Sequence, residues 1–274
     1  MPAGAVTQRK RHHLLFLHEL AHVSIEALLA AAQFVACFSF YEGSNEAFVK
    51  FGVWCFLVTS AVSTAMYGNT ARDIVRQHLQ VTAKGEKAES SDKKDWRRAL
   101  QQAWLYILGS LIFVVASVLF LPDACTSGAD SDTCLKWGAN LFVAGSLCFT
   151  AASATNALTV SVHGVWLKQT RTTKLSLAAL AFGLFGGVLY TAGSVLFFPQ
   201  LDNGSCTAGA ALVPSTWSTV NLGTHYFVAG GACYLASAFC NLALAGVKHY
   251  GHEGHHEEHE VLESRCAGKL KPPA

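Results

Sequence analysis

The stretch Leu108-Gly-Ser-Leu-Ile-Phe-Val-Val-Ala-Ser-Val-Leu-Phe-Leu-Pro122 decides the reading of this chain, because the sequence writes it twice. It returns as Phe185-Gly-Gly-Val-Leu-Tyr-Thr-Ala-Gly-Ser-Val-Leu-Phe-Phe-Pro199, with matching Ser-Val-Leu-Phe cores at Ser117 and Ser194. Each copy is followed by a second apolar run. Phe142-Val-Ala-Gly-Ser146 pairs with Phe227-Val-Ala-Gly-Gly231, and Asn156 falls opposite Asn241. Self-similarity at this length marks a copied supersecondary unit. Here the unit is two apolar segments joined by a loop.

A fainter copy comes first. Lys50-Phe-Gly-Val-Trp-Cys-Phe56 parallels Lys136-Trp-Gly-Ala-Asn-Leu-Phe142, down to the isolated lysine, and Phe34-Val-Ala-Cys-Phe-Ser-Phe40 takes the place of the Ser-Val-Leu-Phe segment. Charge-free runs at Phe51–Asn69, Ala103–Pro122, Trp137–Val162, Leu175–Gln200 and Leu222–Val247 are near or above the roughly 20 apolar residues that cross a bilayer. Ala27–Tyr41, extended backward, supplies a sixth. The 274 residues are 51% hydrophobic and 14% charged, against about a quarter charged in a soluble domain. The expected fold is therefore all-α: a polytopic membrane protein with six transmembrane helices arranged as three repeated two-helix hairpins.

Charge orients the hairpins. Arg9, Lys10 and Arg11, then Arg72 to Arg98, then Lys168, Arg171 and Lys174, and finally Lys248 to Lys271 all fall on one side. The alternate connections carry Glu42, Glu46, Asp123, Asp130, Asp132 and Asp202, with Lys50 and Lys136 as their only cations. The positive-inside rule then places both termini in the cytoplasm or its organellar equivalent. A cleaved signal peptide does not fit, because His18, Glu19, His22 and Glu26 interrupt its apolar core. The division that follows is a basic, His-bearing segment (1–22), hairpin one (23–69), a polar linker (70–101), hairpin two (102–163), a short linker (164–174), hairpin three (175–247) and a His-rich tail (248–274). Small residues near the helix middles, such as Gly109/Ser110 and Gly186/Gly187, suit close helix approach where lipid offers no hydrophobic drive.

Gly109-Ser110-Leu-Ile-Phe113 and Gly138-Ala-Asn-Leu-Phe-Val-Ala-Gly-Ser146 carry a further pattern, shared by Gly223-Thr-His-Tyr-Phe-Val-Ala-Gly-Gly231. At these residues the chain resembles the YrhK-like family of small membrane domains. Gly52-Val-Trp-Cys-Phe-Leu-Val-Thr-Ser60 departs from the pattern by placing Thr59 where glycine is usual. The resemblance implies a hairpin fold and a membrane location, and it implies no activity.

His18-Glu19-Leu20-Ala21-His22 is an H-E-x-x-H string, in which two histidines one turn apart share zinc and the glutamate acts as general base. A zinc protease needs a third ligand and an open position. The later spans hold almost no ionisable residue, and His225 belongs at the opposite face. The repeat register sets His18 near Arg97 and Lys174, in the polar turns before each hairpin. His18, His22 and Glu26 are therefore expected as an interfacial polar stripe, with a metal site as the lesser reading and no enzyme activity. The tail residues His252, His255, His256 and His259 suit weak divalent metal binding, on a segment whose glycines and lack of an apolar face point to an irregular chain. Cys125 and Cys134 share one loop on the acidic side and form a candidate disulfide, with Cys206 as a rival partner.

The expected function is a structural, scaffold or subunit role in the membrane. The alternative is a small channel or transporter lined by Asn156, Asn241, Ser117 and Ser194, with Glu26 the one deep ionisable residue. Expected partners are the lipid bilayer, a second copy or other membrane proteins, and no nucleic acid.

Overall fold

A computed structural model describes residues 3–83, 90–121, 130–162, 170–197 and 218–268, with side chains over 16–83, 95–121, 133–160, 170–197 and 218–247. The described residues are all-α. Helix α1 spans Ala3–Cys37 and ends in a 3-10 turn at Phe38–Phe40. It is followed by α2 (Glu46–Ala83), α3 (Ser90–Leu119), α4 (Asp130–Val162), α5 (Arg171–Leu196) and α6 (Thr219–Gly268). Each carries a stretch long and apolar enough to cross a membrane: Phe16–Phe40, Glu46–Ala83, Asp95–Leu119, Thr133–Val160, Arg171–Leu196 and Thr219–Val247. Such segments favour helix because every interior backbone bond closes within the segment, which hydrocarbon demands. Side-chain caps mark three starts. Asn45 Oδ1 accepts from Phe48 N at 2.8 Å, Thr170 Oγ1 from Thr173 N at 3.2 Å, and Ser218 Oγ from Asn221 N at 3.2 Å.

Two segments differ from expectation. Much of the polar linker is helical, since α2 runs to Ala83 and α3 begins at Ser90. At 1.5 Å per residue the 38 residues of α2 reach about 57 Å, well beyond a hydrocarbon core of about 30 Å. The projecting ends are held by packing, with His78 stacked on Trp96 at 4.1 Å between ring centroids. The second difference is the tail, where α6 continues to Gly268. Gly251 and Gly254 each cost about 1 kcal/mol against alanine in a helix. Extending an existing helix avoids the nucleation penalty, which is the larger obstacle.

Contacts down each pair run in opposite residue order, so the helices alternate up and down. Gln33 bonds Thr59 while Ser39 meets Gly52 (α1/α2), and Tyr67 stacks on Tyr106 while His78 meets Trp96 (α2/α3). Gly109 faces Gly145 while Phe120 covers Gly138 (α3/α4), and Ser146 meets Ser194 while Thr150 meets Thr191 (α4/α5). Gly186 faces Gly230 while Phe197 covers Gly223 (α5/α6), and Phe34 meets Gly231 while Ala30 packs with Ala238 (α6/α1). Each helix packs on the next and α6 returns to α1, closing a six-helix ring.

The ring is filled at its acidic end by phenylalanine. Phe40, Phe120 and Phe197 come from the ends of the odd segments, and Phe56, Phe142 and Phe227 from the even helices. Together with Ala139 and Ser194 they line a cavity of only about 20 Å³, roughly room for one water. Ring centroids lie 5.6 Å apart for Phe40–Phe56, 6.2 Å for Phe56–Phe142, 5.2 Å for Phe120–Phe142 and 5.1 Å for Phe197–Phe227. Deeper in the ring, two aromatic rings press on glycines. A Cβ on Gly145 would sit 2.5 Å from Phe113 Cδ1, and one on Gly230 would sit 2.5 Å from Tyr190 Cδ2. In the α1/α2 pair Gln33 stands at the position of the aromatic ring and Thr59 at that of the glycine. There Gln33 Nε2 donates to Thr59 Oγ1 at 3.1 Å.

Candidate functional site

Beneath the phenylalanine layer the ring interior becomes polar, and it stays so toward the basic end. Ser194 Oγ lies 3.2 Å from Ser146 Oγ and 2.8 Å from the Tyr190 carbonyl oxygen. Cys37 Sγ lies 3.2 Å from Tyr190 Oη, and Thr150 Oγ1 lies 3.4 Å from Thr191 Oγ1. The next hydroxyl belongs to Tyr234. Its oxygen is shut off from solvent without a hydrogen-bond partner, and it faces Gly187, where an added Cβ would meet it at 3.2 Å.

The column ends in a cluster around Glu26. Tyr67 of α2 is a near neighbour of the Glu26 carboxylate. The Tyr67 ring stacks on Tyr106 at 4.5 Å and 11°, and Tyr106 Oη lies 3.5 Å from Ser153 Oγ. His22, one turn before Glu26 on α1, places Nδ1 3.8 Å from Oε1, and its Nε2 is buried without a partner. Glu26 is ten residues past Phe16, about 15 Å along the helix at 1.5 Å per residue. An acidic side chain at the centre of a spanning helix costs about 2.5–3.5 kcal/mol on insertion scales, so it is retained where partners or a function require it.

At the other end a second set of contacts closes α6 onto α1. Tyr41 Oη lies 2.8 Å from His225 Nδ1, Asn221 Oδ1 accepts from Glu42 N at 2.9 Å, and Thr224 Oγ1 donates to the Phe40 carbonyl at 2.9 Å. Burial first, and then the neighbouring Cys37, push the Tyr41 phenol above its ordinary range, which keeps it a donor.

The H-E-x-x-H residues part company in the structure. His18 and Glu19 are exposed on the outside of α1, while His22 turns inward to Glu26. Among the described residues no three His, Cys, Asp or Glu side chains gather where they would hold a metal ion. The side chains of His252, His255, His256 and His259 lie outside the described ones. Cys134 is disulfide-bonded, and Cys125 lies outside the described residues. Ser117 and Ser194 are both buried, but only Ser194 reaches the cavity under the phenylalanines.

Sequence reasoning singled out Glu26 and missed its tyrosine partners. A register counted from the phenylalanines would have exposed them. Glu26, Tyr106 and Gly183 each precede a layer phenylalanine by 14 residues (40−26, 120−106, 197−183). Tyr67, Ser153 and Ala238 each follow one by 11 (67−56, 153−142, 238−227). Glu26 and Tyr67 thus occupy the positions that Tyr106 and Ser153 occupy in the next pair.

A sequence-family model described as YrhK-like protein matches the chain twice, over residues 99–160 and 174–244. The first match covers most of α3 and α4, and the second covers α5 and the spanning part of α6. No curated protein and no solved structure matches the chain. Over these two segments, which take in most of four of its six helices, the chain is similar to the YrhK-like family.

Proposed function

We propose that this chain is an integral membrane protein of three parallel hairpins, with both termini on the cytoplasmic side, serving as a scaffold or subunit and not as an enzyme. The observation that carries this reading is the filled axis: among the described residues six phenylalanines, one from each helical segment, meet around a cavity of only about 20 Å³. The third hairpin copy, α1/α2, is supported by the equivalent placing of Phe40 and Phe56 in that layer and by the Gln33–Thr59 bond standing where Phe113–Gly145 and Tyr190–Gly230 stand. Loop charge supports the orientation. The oxidised state of Cys134 supports a disulfide to Cys125 across the loop on the non-cytoplasmic side. The His252–His259 tail adds weak divalent metal binding, and lipid together with a second copy or another membrane protein are the partners.

Reconstitution into sealed vesicles tests the functional reading. The wild-type protein is expected to pass no ions or small solutes, and sustained flux through it would replace the scaffold reading with transport. A cysteine introduced in the Lys84–Lys94 segment is expected to react with an impermeant label from the cytoplasmic side alone, and labelling only from the other side would reverse the topology. A channel or transporter is the second reading. It is favoured by the polar column that runs from Glu26 to Ser194 and stops under the phenylalanines.

A further inference from the structure

We propose that the outer seam between α2 and α3, at the basic end of the ring, binds one anionic phospholipid whose phosphate is held by Arg72 and Arg97. The inference deepens the membrane reading above and rests on it, but not on its scaffold part.

The register of the two helices places the arginines together. Tyr67 stacks on Tyr106 and His78 on Trp96, and between these pairs Ala71 and Ile74 cluster with Ala103 and Leu100. In an antiparallel pair of right-handed helices, the residue after each contact residue turns to the same flank of the seam. Arg72 follows Ala71, Arg97 follows Trp96 and Trp104 follows Ala103, so all three share one flank. That flank faces away from the ring, since Arg72 and Arg97 are exposed and Trp104 is 59% exposed. With Trp96 opposite His78, Arg97 lies opposite residue 77, about 7.5 Å along the axis beyond Arg72. Two long, forked side chains can close on one phosphate across that gap.

Charge and depth then select the occupant. Arg76 has Asp73 at 4.0 Å and Arg98 has Asp95 at 3.7 Å, so those two cations are partly balanced. Arg72 and Arg97 make no hydrogen bond or ion pair among the described residues. Lys50 and Arg72 bound the uncharged part of α2, and their separation of 22 residues (72−50) is about 33 Å, against about 30 Å of hydrocarbon. Arg72 therefore stands at the headgroup edge, with Arg97 just beyond it. Toward the membrane centre, Trp104, Leu108, Leu111 and Val115 run down the outer face of α3, each 48–59% exposed, and offer a track for an acyl chain. A guanidinium fork matches phosphate oxygens. Two unbalanced cations favour a lipid of net negative charge over a zwitterionic one, whose ammonium offsets its phosphate.

The test is native mass spectrometry of the full-length protein in detergent, titrated with phosphatidylglycerol or with phosphatidylcholine. One phosphatidylglycerol per chain is expected to bind about tenfold more tightly than phosphatidylcholine. Arg72→Gln and Arg97→Gln should each weaken it about fivefold at unchanged melting temperature, the loss expected of one cation at an anionic lipid surface. If either variant fails to fold, the other decides. Lys174→Gln removes an exposed basic-end charge from α5 and should leave the first lipid in place. Millimolar inorganic phosphate should not displace it. Equal binding of the two lipids, or undiminished binding in a folded arginine variant, would overturn the proposal. So would an equal loss in Lys174→Gln, which would mean attraction to the whole basic face, or displacement by phosphate, which would mean a free anion. Vesicle flux and cysteine labelling are read independently, so failure here is distinguishable from failure of the membrane reading.

Discussion

The pair α1/α2 and the pairs α3/α4 and α5/α6 solve the same packing problem with different chemistry. In the later pairs an aromatic ring, Phe113 or Tyr190, packs against a glycine, Gly145 or Gly230. In the first pair a glutamine amide bonds a threonine hydroxyl at the equivalent height. The substitution is reciprocal: where the ring shrinks to Gln33, the glycine grows to Thr59. Toward the basic end the divergence widens, with Glu26–Tyr67 against Tyr106–Ser153 and Gly183 with Ala238. At the phenylalanine layer it vanishes. The shared layer holds the ring together, and the ionisable chemistry collects where the pairs differ.

The largest effect should come from breaking the shared layer. Phe56 is 2% exposed and touches Phe40, Phe142 and Tyr190. Phe56→Ala is expected to cost about 3–5 kcal/mol, read from reversible unfolding in mixed detergent. Phe142→Ala, at a half-buried position, should cost less. Equal losses would mean that the layer is not the tight centre of the ring.

Exchanging the two solutions should sharpen the comparison. Gln33→Phe alone is expected to destabilise by about 1–3 kcal/mol, because Thr59 fills the space that Gly145 and Gly230 leave to their aromatic partners. Adding Thr59→Gly should recover much of that loss. A double-mutant cycle is expected to report a coupling of about 0.5–3 kcal/mol, and additive effects would show that the two positions do not stand in for the aromatic–glycine pair.

The smallest effect separates two serines. Ser146→Ala loses the bond to Ser194 and should cost about 0.6 kcal/mol, the average for such bonds between membrane helices. Ser60, equally buried but without a partner, should be neutral on replacement by alanine in the same unfolding measurement.

Much of this was legible in the residues. Six apolar runs of spanning length announced six helices, and the repeated Gly-x-x-x-Phe-x-x-Gly strings announced the family likeness. Thr59 stood out as a departure, but its partner Gln33 did not, because the two are joined only when α1 and α2 lie antiparallel. The helical linker and tail were also hidden. Their residues are polar, and what extends them is continuity with a helix already nucleated nearby.

Glu26 was marked by its depth in an apolar segment, which any reader of the sequence can see. Its neighbourhood was not, since Tyr67, Tyr106, Ser153 and Tyr234 come from four other helical positions far along the chain. Hydropathy is a property of each segment taken alone, so the sequence by itself determined the six apolar segments and the family likeness. Which faces turn inward depends on how six cylinders close on one another. Only the tertiary structure decided that His22 points to Glu26 while His18 and Glu19 face outward, and that six scattered phenylalanines meet in one layer.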